Sequence, residues 1–96
     1  MHQYMRETIT INTDLDTSKM SKPIVTMTQG DVVLNAKEVT KGDAGAVYAT
    51  FTARQMGKLS EGFARIQLRG MLEGNEFATE IYNVRINGVL HKAVIE

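Results

Sequence analysis

Residues 46–53, Ala46-Val47-Tyr48-Ala49-Thr50-Phe51-Thr52-Ala53, constrain the fold most. Val47, Ala49, Phe51 and Ala53 fall on one side of an extended chain, with Tyr48, Thr50 and Thr52 on the other. A period of two is the signature of a half-buried strand, because successive side chains of a pleated backbone point to opposite faces. The same period recurs in Thr8-Ile9-Thr10-Ile11, whose β-branched residues stiffen an extended backbone. It returns in residues 63–69, where Ala64, Ile66 and Leu68 face inward and Arg65, Gln67 and Arg69 outward.

Turn chemistry separates these runs. Gln29-Gly30-Asp31, residues 41–45 (with two glycines), Leu59-Ser60-Glu61-Gly62 and Glu73-Gly74-Asn75 each supply residues that tolerate positive φ or bond their own backbone. Pro23 lacks an N–H, so a strand over residues 24–28 is expected to start after it, and another is expected over residues 32–39. Residues 12–22 read as a long polar connection, and residues 1–7 as a frayed end or an added leader. Thr52 and Gln55 have capping-box spacing, which predicts one helical turn over residues 53–56 before Gly57. Residues 77–86 read as one long strand whose facing switches between Phe77 and Tyr82, and a β-bulge near residues 80–82 accounts for the switch. Asn87-Gly88 predicts a type I′ hairpin, with residues 89–95 closing the sheet. The expectation for residues 1–96 is thus a single all-β domain of about seven antiparallel strands, a β-sandwich or small barrel.

Charge and composition narrow the function. The chain has 96 residues, with 11 basic and 11 acidic side chains. Counterion release needs a surplus of Lys and Arg, so this balance argues against nucleic acid as a partner. No cysteine is present, which removes disulfides, thiolate metal sites and a cysteine nucleophile. No apolar run approaches a membrane span, and the first residues lack the apolar core of a secretory signal.

Candidate chemistry is thin. His2 and His91 lack metal-ligand spacing, and His91 reads as a solvated or edge residue. Asp14-Leu15-Asp16 opens like a calcium loop, but Lys19 and Val25 stand where Gly and Glu are required. Ser18, Ser21 and Ser60 lie in no nucleophile elbow. No catalytic residue, cofactor or metal is expected. Arg65, Arg69 and Arg85 could form a basic stripe, and cross-strand pairing with Glu73, Glu76 and Glu80 is the expected outcome. With no Trp, only Tyr4, Tyr48 and Tyr82 offer a wet aromatic surface for sugars.

The segment Leu59-Ser60-Glu61-Gly62-Phe63-Ala64-Arg65-Ile66-Gln67-Leu68 resembles the turn and following strand of immunoglobulin-like sandwiches. With the Gly30-Asp31 turn, the strand over residues 47–53 and the hairpin ending in residues 77–86, residues 24–86 resemble the small sandwich of phage baseplate upper proteins and related tail proteins. The resemblance implies a non-enzymatic adaptor of a phage or prophage tail or baseplate. Its partners would be other tail or baseplate proteins or copies of itself, and its location the virion, after assembly in the host cytoplasm. The alternative from another class is a cytoplasmic small β-barrel that binds a small ligand or nucleic acid.

Overall fold

The computed structural model describes residues 1–90 and 92. Among these residues eight strands form two antiparallel sheets: β1 (Glu7–Asn12), β2 (Met20–Gln29), β3 (Val32–Asn35), β4 (Glu38–Lys41), β5 (Ala46–Phe51), β6 (Gly62–Leu72), β7 (Asn75–Ala78) and β8 (Tyr82–Ile86). The small sheet has the order β1-β5-β4. The large one runs β3-β2-β6-β7, with β8 following β7 along the same edge of β6. This is the B-E-D against C′-C-F-G arrangement of an immunoglobulin-type sandwich. No described strand takes the place of strand A, beside β1.

The alternation read from the sequence fills the core. Val47, Ala49 and Phe51 of β5 meet Ala64, Ile66 and Leu68 of β6 in one buried cluster, which Val25, Met27 and Ile86 extend. Met20, Met27 and Met56 are buried and fill it further, whereas Met5 is exposed. The helical turn α1 (Ala53–Met56) forms at the β5–β6 corner. Gln55 N–H donates to Thr52 Oγ1 at 3.1 Å, and Thr52 N–H donates to Gln55 Oε1 at 2.9 Å. Thr52→Ala removes half of this reciprocal cap, and urea denaturation should show a loss of about 1 kcal/mol. An unchanged midpoint would mean that packing of Met56 alone holds the corner.

Several expectations are corrected. Residues 12–22 are not a solvated linker: Thr17 is buried, a 3₁₀ turn spans Thr17–Lys19, and β2 already begins at the buried Met20. Thr17 Oγ1 donates to Gly42 O at 2.8 Å and Lys41 Nζ to Met20 O at 2.7 Å, which ties this stretch down. Pro23 therefore lies inside β2. The strand tolerates it because Lys22 and Pro23 stand opposite Gly70 alone, at a bulge where the ladder is interrupted and Lys22 has φ +52°.

Residues 32–39 are not one strand. Ala36 N–H donates to Val25 O of the large sheet and Lys37 N–H to Thr50 O of the small one, so the chain changes sheets between them. The switch near residue 80 is a true register shift. Ala78 pairs with Arg69 but Tyr82 with Ile66, which leaves three residues opposite two and divides the expected single strand into β7 and β8.

The Asn87-Gly88 turn is not made, since neither residue has positive φ. Instead Asn87 N–H donates to Met1 O at 2.7 Å and Gln3 N–H to Asn87 O at 2.9 Å. The N-terminal residues are accordingly docked rather than frayed: the Met1 ammonium donates to Arg85 O, and Gln3 is buried with its Nε2 donating to Leu59 O. The strand expected over residues 89–95 lies largely outside the described residues, as does His91.

Candidate functional site

The outer face of the large sheet gathers the chemistry-bearing side chains. β6 alternates strictly, so turning Ala64, Ile66 and Leu68 inward projects Phe63, Arg65, Gln67 and Arg69 outward. The register then sets their neighbours. Thr28 and Asn83 flank Arg65, Thr26 stands opposite Gln67, Ile24 opposite Arg69, and Arg85 opposite Phe63. Val33 and Asn35 of β3 continue the rows beyond Thr28 and Thr26.

Polar groups on the face are held in place. Thr26 Oγ1 donates to Asn35 Oδ1 at 2.7 Å, and Gln67 Nε2 donates to Thr79 O at 2.8 Å. The Arg85 guanidinium carbon lies 5.5 Å from the Phe63 ring centroid, a cation–π contact that orients both side chains. Phe63 is 66% exposed and Val33 63%, while Ile24 and Ile81 are about half exposed. Two shallow depressions mark the surface. One of about 160 Å³ lies among Thr26, Thr28, Arg65, Gln67 and Ile81, and one of about 390 Å³ lies beside Ile24, Asn35, Arg69 and Glu76.

The expected Arg–Glu pairing does not occur among the described residues. Register is the reason. Arg69 faces Ala78, Glu76 faces Met71, and Glu80 falls in the break between β7 and β8. Glu73 turns to Lys19 instead, at 2.8 Å. Among the described residues the three arginines therefore meet no carboxylate within ion-pair distance.

The other residues singled out in the sequence do not converge. His2 Nδ1 lies 3.6 Å from Glu7 Oε1 at the N-terminal edge. Asp16 caps the 3₁₀ turn, accepting from the Ser18 hydroxyl at 2.6 Å and the Ser18 N–H at 3.0 Å, and these bonds hold its carboxyl below the usual range. Ser60 N–H is held by Gln29 Oε1 at 2.6 Å. Gly30 and Asp31 form the β2–β3 turn. The tyrosines are dispersed, with Tyr4 against Gly57, Tyr48 against Gly42 and Tyr82 at the sandwich margin, so they build no shared platform. Among the described residues no three of His, Asp or Glu gather to hold a metal ion, and no helix is long and apolar enough to cross a membrane.

Fold and face together define an all-β sandwich that presents a mixed basic and apolar sheet surface. No protein-family model and no curated protein matches the chain. Among solved structures it is similar to the endo-beta-1,4-mannanase from Thermotoga petrophila, with a TM-score of 0.59 and 12% identity. The match covers 93% of this chain and 18% of that chain, and at such identity it shows the fold alone.

Proposed function

We propose that the chain is a non-enzymatic interaction module that docks on a partner protein through the outer face of its large sheet. The observation that carries this reading is the interleaving of Arg65, Arg69 and Arg85, none paired with a carboxylate among the described residues, with the exposed Ile24, Val33, Phe63 and Ile81. Arginine and aromatic residues are enriched at interface centres while Lys, Glu and Asp are depleted there. An anchored Arg–Phe pair on rigid strands also loses little rotamer freedom on docking. The fitting partner offers carboxylates spaced among apolar side chains.

The resemblance of residues 24–86 to phage tail and baseplate sandwiches supplies the setting: an adaptor in the virion, contacting another tail or baseplate protein. Affinity should reside in few residues. The triple variant Arg65→Glu/Arg69→Glu/Arg85→Glu should bind such a partner about 100-fold more weakly than the unaltered chain in titration calorimetry, with an unchanged thermal midpoint. Undiminished affinity in that variant would defeat the assignment of this face. Retention on β-mannan or a mobility shift of an oligonucleotide at low salt would instead place the protein in another functional class.

A further inference from the structure

Of the five asparagines in the chain, Asn87 is the one followed by glycine. Such a step is chemically reactive, because a glycine nitrogen, with no Cβ beside it, closes readily on the asparagine side chain in a five-membered ring. The turn that Asn87-Gly88 would make is absent, and a clamp stands in its place. Asn87 pairs with His2 in an isolated parallel β-bridge, so its backbone is extended. Its N–H donates to Met1 O at 2.7 Å, and its carbonyl accepts the Gln3 N–H at 2.9 Å. Gly88 N–H, on the nitrogen that would attack, donates to Glu61 Oε1 at 3.4 Å. The Asn87 side chain itself is exposed to water.

We infer that Asn87-Gly88 is a deamidation site guarded by residues 1–3, and that the reaction, once it has occurred, keeps those residues undocked. Ring closure needs the Asn87 ψ to swing out of the extended region, and the bonds to Met1 and Gln3 prevent the swing while they last. Only molecules in which residues 1–3 have come away can react, so the rate follows the open fraction. In that fraction Gly88 N bonds to Asn87 Cγ and the Cγ–Nδ2 bond breaks. The proton lost by the glycine nitrogen leaves with the side-chain NH₂ as ammonia. Water then opens the succinimide: attack at Cγ gives aspartate, and attack at the main-chain carbonyl carbon gives isoaspartate. Isoaspartate carries the main chain through Cβ and Cγ, one carbon longer, so a single residue no longer meets both Met1 O and Gln3 N–H. Gln3, buried with its Nε2 donating to Leu59 O, is thereby displaced. The new carboxylate also stands near Glu61, and like charges oppose re-docking. The chain thus keeps a one-way covalent record of having opened at residues 1–3, a property independent of the partner face described above.

The test incubates the full chain at neutral pH, well below its melting temperature, and follows amide-to-carboxylate exchange at residue 87 by mass spectrometry of its fragments. A synthetic peptide of residues 84–90, which has no clamp, should react about 100-fold faster than the full chain. Gln3→Pro removes the N–H that Asn87 O accepts and should speed the full chain about tenfold. Gly74→Ala strains a left-handed turn at the opposite end of β6 and should leave the rate unchanged. The isoaspartate form, separated by ion exchange, should lose hydrogen-exchange protection at the Gln3 amide. Equal rates for peptide and full chain, or for Gln3→Pro and the unaltered chain, overturn the inference. So does an equal acceleration by Gly74→Ala, because the reacting state would then be the unfolded chain. An isoaspartate form whose Gln3 amide stays as protected as before overturns the one-way step.

Discussion

Phe51→Ala should lower the thermal midpoint by about 12–40 °C, on the scale of about 4–8 °C per kcal/mol for a domain of this size. The ring ends the central strand of the small sheet, has no exposed surface and belongs to the cluster shared by both sheets. Truncating a buried phenylalanine costs about 3–5 kcal/mol, through lost transfer energy and the cavity left behind. Against a total of about 5–15 kcal/mol for a native domain, that is a large share. Circular dichroism melts of the two proteins measure it directly. A fall of only a few degrees would show that the sheets close over the site.

Gly45→Ala should be nearly as damaging, although it adds a single methyl group. Gly45 is buried at φ +81°, and its carbonyl accepts both the Thr13 N–H at 2.8 Å and Thr13 Oγ1–H at 2.9 Å. A Cβ there would run into the Thr13 carbonyl oxygen, which is backbone and cannot swing aside. Strain of about 1–3 kcal/mol and two hydrogen bonds of about 1 kcal/mol each set an expected loss of about 3–5 kcal/mol. Gly30→Ala is the matched control. Gly30 has φ +57° with nothing near its would-be Cβ, so only the left-handed penalty of about 1–2 kcal/mol applies. Equal midpoints for the two variants in urea would mean that the loop at Thr13 shifts to admit the methyl.

Elements whose side chains alternate between water and core were legible in the sequence. β1, β5 and β6 stand where their period places them, as do the capped turn at Thr52 and the turns at Gly30 and Glu73-Gly74. What was not legible depends on partners distant in sequence. Pro23 marks a strand start in isolation, and only the opposing Gly70 lets a bulge absorb it. The break after Ala36 is invisible locally, because residues 32–39 are extended on both sides of it and differ only in the sheet they join. Met20, alone among polar neighbours, gave little sign that residues 12–22 are anchored. For the candidate face, the outward set on β6 was readable from alternation. That this set meets none of the glutamates of the hairpin was not, since it depends on register: Arg69 meets Ala78, Glu76 meets Met71, and Glu80 falls in the break at residues 79–81.

The crossing at Ala36 and Lys37 also governs how the two sheets can separate. Successive amides there are fastened to opposite sheets, so this margin behaves as the spine of a book. Across from it, β1 and the Tyr82 end of β8 face each other over a cleft of about 530 Å³, like the fore-edge of the pages. A sandwich so fastened should open as a hinge, with the fore-edge widening before the spine loses its registry. In a hydrogen-exchange measurement the amides of β1 and β8 should exchange first, and those of Ala36 and Lys37 only when the two sheets come apart.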